Sequence, residues 1–175
     1  MAAITVRLVR PADLEALRAI NAAGLPGVTP LSTEELAALE TGALRCWVAE
    51  APEGVAGYLI AYTASDAYDG EEFAWFQRHF ARFLYIDQVA IASRSRRGGI
   101  GSALYQAIAD EALALGLDSL TCEVNLVPPN PVSLSFHRAR GFQEVGVLRA
   151  QDGRTVALLR RALTPPATPD DAALA

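Results

Sequence analysis

Lysine is absent from this chain of 175 residues, and cysteine, histidine and methionine are scarce. All fifteen basic residues are arginine, against twenty acidic residues, so the formal net charge is −5. This balance leaves no extended basic surface of the kind that nucleic-acid-binding proteins need, and predicts no nucleic-acid partner. Arginine without lysine, together with abundant alanine, is typical of a GC-rich bacterial genome.

The two cysteines and two histidines do not form a recognisable metal-binding pattern. Cys46 and Cys122 each lie in an apolar, strand-like segment, and there is no Cys-x-x-Cys pair or histidine cluster. We therefore predict buried free thiols and no metal. No apolar run approaches the ~20 residues of a membrane span, and Arg7 and Arg10 interrupt any N-terminal signal sequence. The sequence predicts a cytoplasmic protein with no membrane contact.

Hydrophobic residues make up 51% of the chain and charged residues 20%, a composition that at this length favours one folded domain. We assign residues 1–163 to this domain and predict a disordered tail over residues 164–175, which hold three prolines and no periodicity. Hydrophobic periodicity and turn signals predict strands at 2–9, 44–50, 55–63, 83–92, 118–126, 142–149 and 154–163, and helices at 11–24, 32–42, 102–115 and 131–140. The strand–helix–strand unit 83–126 predicts a parallel pair of strands.

Residues 64–82 form an insert with unusual chemistry. Four acidic residues, at positions 66, 69, 71 and 72, precede an aromatic group at 73, 75, 76, 79 and 80. This order predicts an acidic turn followed by a helix with an aromatic face. Two roles stay open: an apolar cluster that covers a sheet edge, or a substrate lid, because binding segments favour loops on a rigid scaffold.

A glycine-rich segment, Arg-Arg-Gly-Gly-Ile-Gly-Ser at 96–102, follows the strand 83–92 and opens a periodic helix. Backbone N–H groups at a helix N-terminus have no intrahelical partner and carry partial positive charge, so they bind phosphate oxygens. Arg96 and Arg97 can add charge-assisted hydrogen bonds. Leu104 stands where a dinucleotide fingerprint needs its third glycine, and the Gly-Lys-Ser/Thr of a P-loop is missing. The alternative is a turn that merely joins strand to helix.

The order Arg-x-x-Gly-x-Gly resembles the pyrophosphate-binding motif of the GCN5-related N-acetyltransferases, the GNAT family. A second segment, Asn-Pro-Val-Ser-Leu-Ser-Phe-His-Arg-Ala-Arg-Gly-Phe at 130–142, is similar to the family pattern Asn-x-x-Ala-x-x-Leu-Tyr-x-x-x-Gly-Phe. The resemblance covers nearly the whole chain apart from the insert and the tail. It implies an α/β fold with a mixed sheet of about seven strands, flanking helices, and a parallel pair, 83–92 and 118–126, that splays apart.

The resemblance implies acetyl-CoA as cosubstrate and a homodimer as a possible assembly. It implies that backbone atoms of Val89, Ala90 and Ile91 bind the pantetheine arm, with Asn130 in contact with that arm and Ser133 and His137 beside it. It further implies that the pyrophosphate is held by backbone N–H groups of Arg97, Gly98, Gly99, Ile100, Gly101 and Ser102, flanked by Arg96.

His137 stands where the family pattern has a tyrosine that acts as general acid for the departing thiolate. A histidine could do the same, because its ordinary pKa of about 6.5 lets the imidazolium donate a proton near neutrality. The alternative is a histidine on the helix face that only hydrogen-bonds the coenzyme or a neighbour.

An attacking amine also needs a base, and the candidates are Asp87, Tyr85 and Glu123 on the two splayed strands. Asp87 is the first choice because it interrupts an apolar run, where desolvation raises the pKa of a carboxyl group. The alternative for Asp87 is an ion pair with a nearby arginine such as Arg82.

These residues predict transfer of an acetyl group from acetyl-CoA to a primary amine by direct attack. The acidic insert and the net charge favour a cationic small molecule as acceptor, while a protein N-terminus or lysine stays open. The rival from another class is a non-catalytic acyl-CoA-binding sensor or interaction protein with the same fold, favoured by the missing tyrosine at position 137.

Overall fold

Seven β-strands form one mixed sheet in the computed structural model, which describes residues 4–163. The strands are β1 (Thr5–Leu8), β2 (Cys46–Ala51), β3 (Gly54–Thr63), β4 (Phe83–Ile91), β5 (Ser119–Val127), β6 (Gln143–Arg149) and β7 (Thr155–Ala162). They lie in the order β1-β2-β3-β4-β5-β7-β6, and every neighbouring pair is antiparallel except β4 and β5. The predicted mixed α/β sheet and its parallel pair are thereby confirmed.

The helices are α1 (Leu14–Gly24), α2 (Thr33–Thr41), α3 (Glu71–His79), α4 (Ile100–Ala114) and α5 (Pro131–Arg138), with a 3-10 turn at Pro11–Asp13. A capping box starts α2: Ser32 Oγ accepts from the Glu35 N–H at 3.0 Å, and the Glu35 carboxylate accepts from the Ser32 N–H at 2.7 Å. Gly42 ends this helix with a φ of 73°.

Three helix boundaries differ from the sequence prediction by two residues or more. Helix α1 begins at Leu14 rather than at residue 11, because Pro11–Asp13 form a 3-10 turn. Helix α4 begins at Ile100 rather than at residue 102, because Gly99, with a φ of 86°, already completes the turn out of the preceding loop. Helix α5 ends at Arg138 rather than at residue 140, because the Arg140 N–H donates to the His137 carbonyl and tightens the last turn. The predicted tail at 164–175 and the start of the strand 2–9 lie outside the described residues.

Both faces of the sheet are covered. On one face α4 packs on strand residues such as Leu84, Ile86 and Leu120. On the other face α1 and α2 cover β2, β3 and the end of β4, while α3 covers β4 and β7. Cys46 and Cys122 are buried free thiols, as predicted.

The insert covers one face of the sheet from β4 to the edge strand β6. The side chains of Phe73 and Phe76 are fully buried against Phe83, Tyr85 and other residues of β4 and β7. Each of these two strands has a neighbour on both sides. The edge strand β6 is covered as well: Leu148 packs against the same cluster, and a Cβ atom on Gly146 would lie only 2.9 Å from the Trp75 ring. The predicted aromatic helix is present, and the role of the insert stays a prediction.

Strands β4 and β5 pair over three rungs only. The rungs are Phe83↔Ser119, Leu84↔Leu120 and Tyr85↔Thr121. On the other side of β4, Ala61 lies opposite Ile86 and Ile60 opposite Gln88, so Asp87 is an extra residue in the strand. This is a β-bulge, which bends a strand and redirects its side chains. Beyond Tyr85 the two parallel strands separate, which confirms the predicted splay and opens a gap in the sheet.

Candidate active site

The loop between β4 and α4 presents a row of unpaired backbone amides. Its backbone is left-handed at Arg97 and Gly99, with φ values of 65° and 86°. Within residues 4–163 no acceptor is found for the N–H groups of Arg97, Gly99, Ile100, Gly101 and Ser102. The Gly98 N–H, in contrast, donates to Ser95 O at 3.2 Å. Five of the six implied amides are thus free to bind an anion at the N-terminus of α4.

Arginine side chains surround this row of amides. Arg140 donates to Ser102 Oγ at 2.6 Å and to Phe136 O at 3.1 Å, and its guanidinium carbon lies 3.4 Å from the centre of the Phe136 ring. These contacts fix the guanidinium beside the amides. Arg96 and Arg97 are exposed and line the same space.

A cavity of about 760 Å³ extends from these amides along β4. Except for Gly98, it is lined by every residue that the sequence assigns to the coenzyme: Val89, Ala90, Ile91, Arg96, Arg97, Gly99, Ile100, Gly101, Ser102, Asn130, Ser133 and His137. A Cβ atom on Gly101 would lie 3.0 Å from the Phe136 ring and 3.2 Å from the Ile91 side chain. Glycine at 101 therefore lets α4, α5 and β4 close around the cavity.

A second cavity, of about 360 Å³, adjoins the first in the gap between β4 and β5. Val89, Asn130, Ser133 and His137 line both cavities. Asp87 and Glu123 line the second cavity together with Tyr105, Asn125, Asp152 and Arg154. The structure thus brings two of the three candidate bases to the second cavity, which shares part of its lining with the first.

Each of these two carboxyl groups lies two residues beyond the last paired rung, Tyr85↔Thr121, and each accepts a hydrogen bond from a tyrosine. The Tyr85 hydroxyl donates to Glu123 Oε2 at 2.7 Å, and the Tyr68 hydroxyl donates to Asp87 Oδ1 at 2.5 Å. Burial raises the pKa of Asp87 to about 6 and the pKa of Glu123 to about 8. Burial also raises the pKa of Tyr85 well above its ordinary value, so this hydroxyl keeps its proton.

Arg82 does not pair with Asp87. Its guanidinium lies 3.2 Å from the carboxylate of Asp118, at the start of β5. The alternative interpretation of Asp87 as the partner of Arg82 is therefore wrong, because Arg82 lies at the other end of the short β4–β5 ladder.

Both ring nitrogens of His137 are hydrogen-bonded. Nδ1 lies 2.8 Å from Ser133 O, which can only accept, so Nδ1 carries the proton. Nε2 then accepts from the Tyr105 hydroxyl at 2.6 Å. Burial lowers the pKa of His137, and the imidazole is therefore neutral near pH 7.

The loop between α1 and α2 forms a wall of both cavities through Gly27 and Val28. Asn21 Nδ2 and Gln88 Nε2 each donate to Thr29 O at 2.9 Å, and the Leu31 N–H donates to Asn21 Oδ1 at 3.1 Å. These bonds tie the loop to α1 and to β4.

Sequence reasoning missed six of the side chains that build the site. They are Asn21, Tyr68, Gln88, Tyr105, Arg140 and Arg154. Arg140 lies inside the second motif, so that motif was a signal for it. The other five act through partners distant in sequence and carry no local signal.

Residues 4–163 contain no cluster of three or more potential metal-ligating side chains. No helix in this range has the length and apolarity that crossing a membrane requires.

Several solved structures have the same fold. Arabidopsis thaliana NAA60 in complex with acetyl-CoA matches with a TM-score of 0.73 and 18% identity, over 91% of this chain and 98% of that chain. A ribosomal-protein-alanine N-acetyltransferase from Brucella melitensis matches with a TM-score of 0.66 and 26% identity, over 91% and 99%. A protein provisionally named a phosphinothricin N-acetyltransferase matches with a TM-score of 0.68 and 26% identity, over 93% and 100%.

A search of curated protein sequences finds no significant match. The model of the acetyltransferase (GNAT) family, in contrast, matches residues 14–142, most of the length of the chain. Together with the splayed strands and the amide row at the start of α4, this match shows that the chain belongs to the GNAT acetyltransferase family.

Proposed function

We propose that this protein transfers an acetyl group from acetyl-CoA to a primary amine of a small molecule, by direct attack in a ternary complex. The observation that carries the proposal is the meeting of two cavities in the β4–β5 gap, one bordered by free amides and the other by two carboxyl groups. A coenzyme and an acceptor bound in these cavities would be held against each other, which is a large part of catalysis.

The larger cavity fits a coenzyme with a pyrophosphate and a long amide-bearing arm. The free amides of 97 and 99–102 and the guanidinium groups of Arg96, Arg97 and Arg140 would bind the pyrophosphate. Backbone groups of 89–91, on the edge of β4 that β5 does not occupy, would bind the arm. When bound, acetyl-CoA supplies the activated acyl group as a thioester.

Asp87 is the proposed base. At pH 7 a carboxyl group with a pKa of about 6 is mostly ionised, whereas Glu123, with a pKa of about 8, is mostly protonated. Asp87 can therefore accept a proton from the acceptor nitrogen, while Glu123 offers a neutral hydrogen-bonding group in the same cavity. Tyr85 orients Glu123 and does not act as a base, because it keeps its own proton.

The role of His137 as general acid stays a prediction. Its ring reaches both cavities, but its one proton is donated to Ser133 O, and its lowered pKa leaves little imidazolium at neutrality. A thiolate whose thiol has an ordinary pKa leaves readily without protonation by an acid. His137 can therefore contribute by shaping the region where the two cavities meet. His137→Ala tests this: an unchanged kcat excludes the acid role.

A small acceptor is favoured by the size of the second cavity, about 360 Å³. The Brucella relative, named for acetylation of a ribosomal protein, favours a protein N-terminus as the second candidate acceptor. Cytoplasmic location and a homodimer also stay predictions, and the mass of the protein in solution would test the dimer.

The proposal is tested by free-thiol release from acetyl-CoA with a panel of small amines and N-terminal peptides, together with calorimetric titration of CoA. Sustained release with a small amine supports the proposed function. Turnover with peptides alone favours the protein acceptor, and binding without turnover favours the non-catalytic sensor. A folded protein that binds no CoA contradicts all three.

A further inference from the structure

The insert between β3 and β4 contributes a side chain to the candidate base. Tyr68 lies 19 residues before Asp87, and its hydroxyl donates to Asp87 Oδ1 at 2.5 Å. We infer that Tyr68 is a positioning residue for Asp87, and that residues 64–82 therefore form part of the active site. The inference rests on the acetyltransferase function proposed above and adds a residue that neither sequence motif contains.

The ring of Tyr68 is held on three sides. It stacks on Tyr62 with ring centres 4.2 Å apart and meets Phe73 edge-on at 5.5 Å. A Cβ atom on Gly70 would lie only 2.6 Å from the Tyr68 ring, so the ring fits against a backbone that has no side chain there. These contacts fix the position of the Tyr68 hydroxyl.

The insert that carries Tyr68 is itself anchored at both its aromatic and its acidic ends. Phe73 is fully buried in the sheet face. Glu71 accepts from the Gln151 N–H at 2.8 Å, and Glu72, 7% exposed, pairs with Arg154 at 3.2 Å. A segment held at so many points is a fixed support behind Asp87 rather than a lid, and none of its residues lines either cavity.

This arrangement assigns separate tasks to the two oxygens of Asp87. Oδ1 accepts the hydrogen bond from Tyr68, which leaves Oδ2 to take the proton from the acceptor nitrogen. The nitrogen forms its bond to the acyl carbon, and the carbon–sulfur bond of the thioester breaks with its electron pair leaving on the CoA thiolate. Tyr68 does not release its own proton, because burial and the nearby Asp87 charge raise its pKa. The bond also stabilises ionised Asp87, so its loss raises the pKa of that carboxyl group.

The kinetic test compares Tyr68→Phe with Tyr62→Phe. Both variants lose one hydroxyl from the same pair of stacked rings, but the Tyr62 hydroxyl makes no hydrogen bond with any residue in 4–163. We expect Tyr68→Phe to lower kcat about tenfold, the effect of a lost hydrogen bond to a charged group. We also expect the acidic limb of its pH profile to move to higher pH, with CoA affinity unchanged. Equal kcat values and equal profiles in the two variants would overturn the inference.

A measurement without turnover separates this inference from the proposed function. Carbon-13 NMR of labelled aspartate, with the Asp87 signal assigned through Asp87→Asn, follows the titration of this carboxyl group directly. We expect a higher pKa in Tyr68→Phe than in the wild type, and again in Gly70→Ala, which keeps the hydroxyl but displaces the ring. An unchanged pKa in both variants overturns the inference even in an active enzyme. A raised pKa in a protein without turnover supports the inference and contradicts only the proposed function.

Discussion

Asp87 and Glu123 occupy equivalent places on two strands, yet they differ in charge at neutral pH. Both pKa values are raised by burial, that of Asp87 to about 6 and that of Glu123 to about 8. The charge of Asp87 is itself one of the causes that raise the pKa of Glu123. With one carboxyl group ionised and the other protonated in a single cavity, the first can act as the base and the second as a hydrogen-bond donor.

Replacing Asp87 by asparagine removes the proposed base without changing the size of the side chain. We expect kcat/KM at pH 7 to fall about 100-fold or more, since general bases contribute about 10²–10⁴-fold. In the wild type kcat/KM should rise as the pH passes about 6, because the ionised form of Asp87 is the active one. Steady-state kinetics from pH 5 to 8 measures both effects.

Glu123→Gln is the matched control, since glutamine resembles the protonated glutamic acid that is present at pH 7. Its kcat/KM at that pH should stay within about tenfold of the wild-type value. A larger loss in Glu123→Gln than in Asp87→Asn would reverse the assignment of the base.

Glu123 also makes stability depend on pH. Its pKa is about 8 in the folded protein against an ordinary value of 4.5, so the folded state holds a proton that the unfolded state has released. The free energy of unfolding contributed by this group therefore falls as the pH rises from 4.5 to 8. We expect Glu123→Gln to lose less stability than the wild type between pH 5 and pH 8, by about 3 kcal/mol. Urea unfolding at both pH values measures the difference, and parallel curves would contradict it.

Local patterns in the sequence reveal the carboxyl groups but not the residues that orient them. Asp87 stands out because it interrupts an apolar strand, and Glu123 because it lies in the neighbouring one. Tyr68 and Tyr105 look like ordinary apolar positions, since their partners Asp87 and His137 lie 19 and 32 residues away. Only the folded chain brings these hydroxyl groups to their acceptors.

The start of α4 is the proposed binding site for the pyrophosphate. Gly99 and Gly116 flank this helix at its two ends, both with left-handed backbones, at φ 86° and 72°. A Cβ atom at Gly99 would meet only Ile4 at 3.6 Å, and one at Gly116 would meet nothing within 4 Å. Backbone conformation, rather than space, therefore requires glycine at both positions.

Alanine at each of these glycines should have the same effect on stability and different effects on binding. We expect Gly99→Ala and Gly116→Ala each to lower the free energy of unfolding by about 1–2 kcal/mol, the strain of a left-handed alanine. Only Gly99→Ala should weaken CoA binding, by about tenfold or more, because it disturbs the amides that we propose to bind the pyrophosphate. Calorimetry on both variants checks this, and equal CoA affinities would exclude the amide row as the binding site.

Helices and strands could be predicted where the sequence patterns that define them are local. The capping box at Ser32 and the strand 83–92 appear close to where the sequence predicts them. The start of α4 was placed two residues too late, because Gly99 and Gly101 read as one glycine loop. In the folded chain Gly101 lies inside the helix, where the Phe136 ring leaves no room for a side chain.

At the scale of the whole molecule, Arg154 joins three distant parts of the chain. Its guanidinium contacts Glu72 of α3 at 3.2 Å, Asp152 of the β6–β7 turn at 2.6 Å and Asn125 of β5 at 3.3 Å. Glu72 is almost completely buried, so removing Arg154 leaves a buried carboxylate without its partner.

Arg154→Gln should therefore destabilise the protein by about 2 kcal/mol. The double variant Glu72→Gln/Arg154→Gln should lose less stability than the sum of the two single variants, because the buried charge is gone. Arg138→Gln is the control: its contact with Glu144 is exposed and 4.0 Å long, so its loss should cost less than about 0.5 kcal/mol. Thermal unfolding measures all four, and strict additivity would contradict a direct pair.

The overall topology could be predicted only in part from the residues. The strand–helix–strand unit indicates that β4 and β5 are parallel, but periodicity does not show that their ladder ends after three rungs. That feature followed from the family resemblance. The placement of the insert on the sheet face was not predictable, since its aromatic pattern suits an edge and a face equally well.

The β-bulge at Asp87 shifts the alternation of side chains along β4 by one position. Ile86 and Val89 both face α4, although three positions separate them, while Gln88 and Ala90 face the opposite layer. If residue 87 alone were deleted, the other residues of β4 would still face the same sides of the sheet. The hydrogen-bonded ladder between β3 and β4 would then contain no bulge. If Asp87 is the base, as proposed, deletion of this one residue removes the catalytic group and leaves the rest of the fold in place.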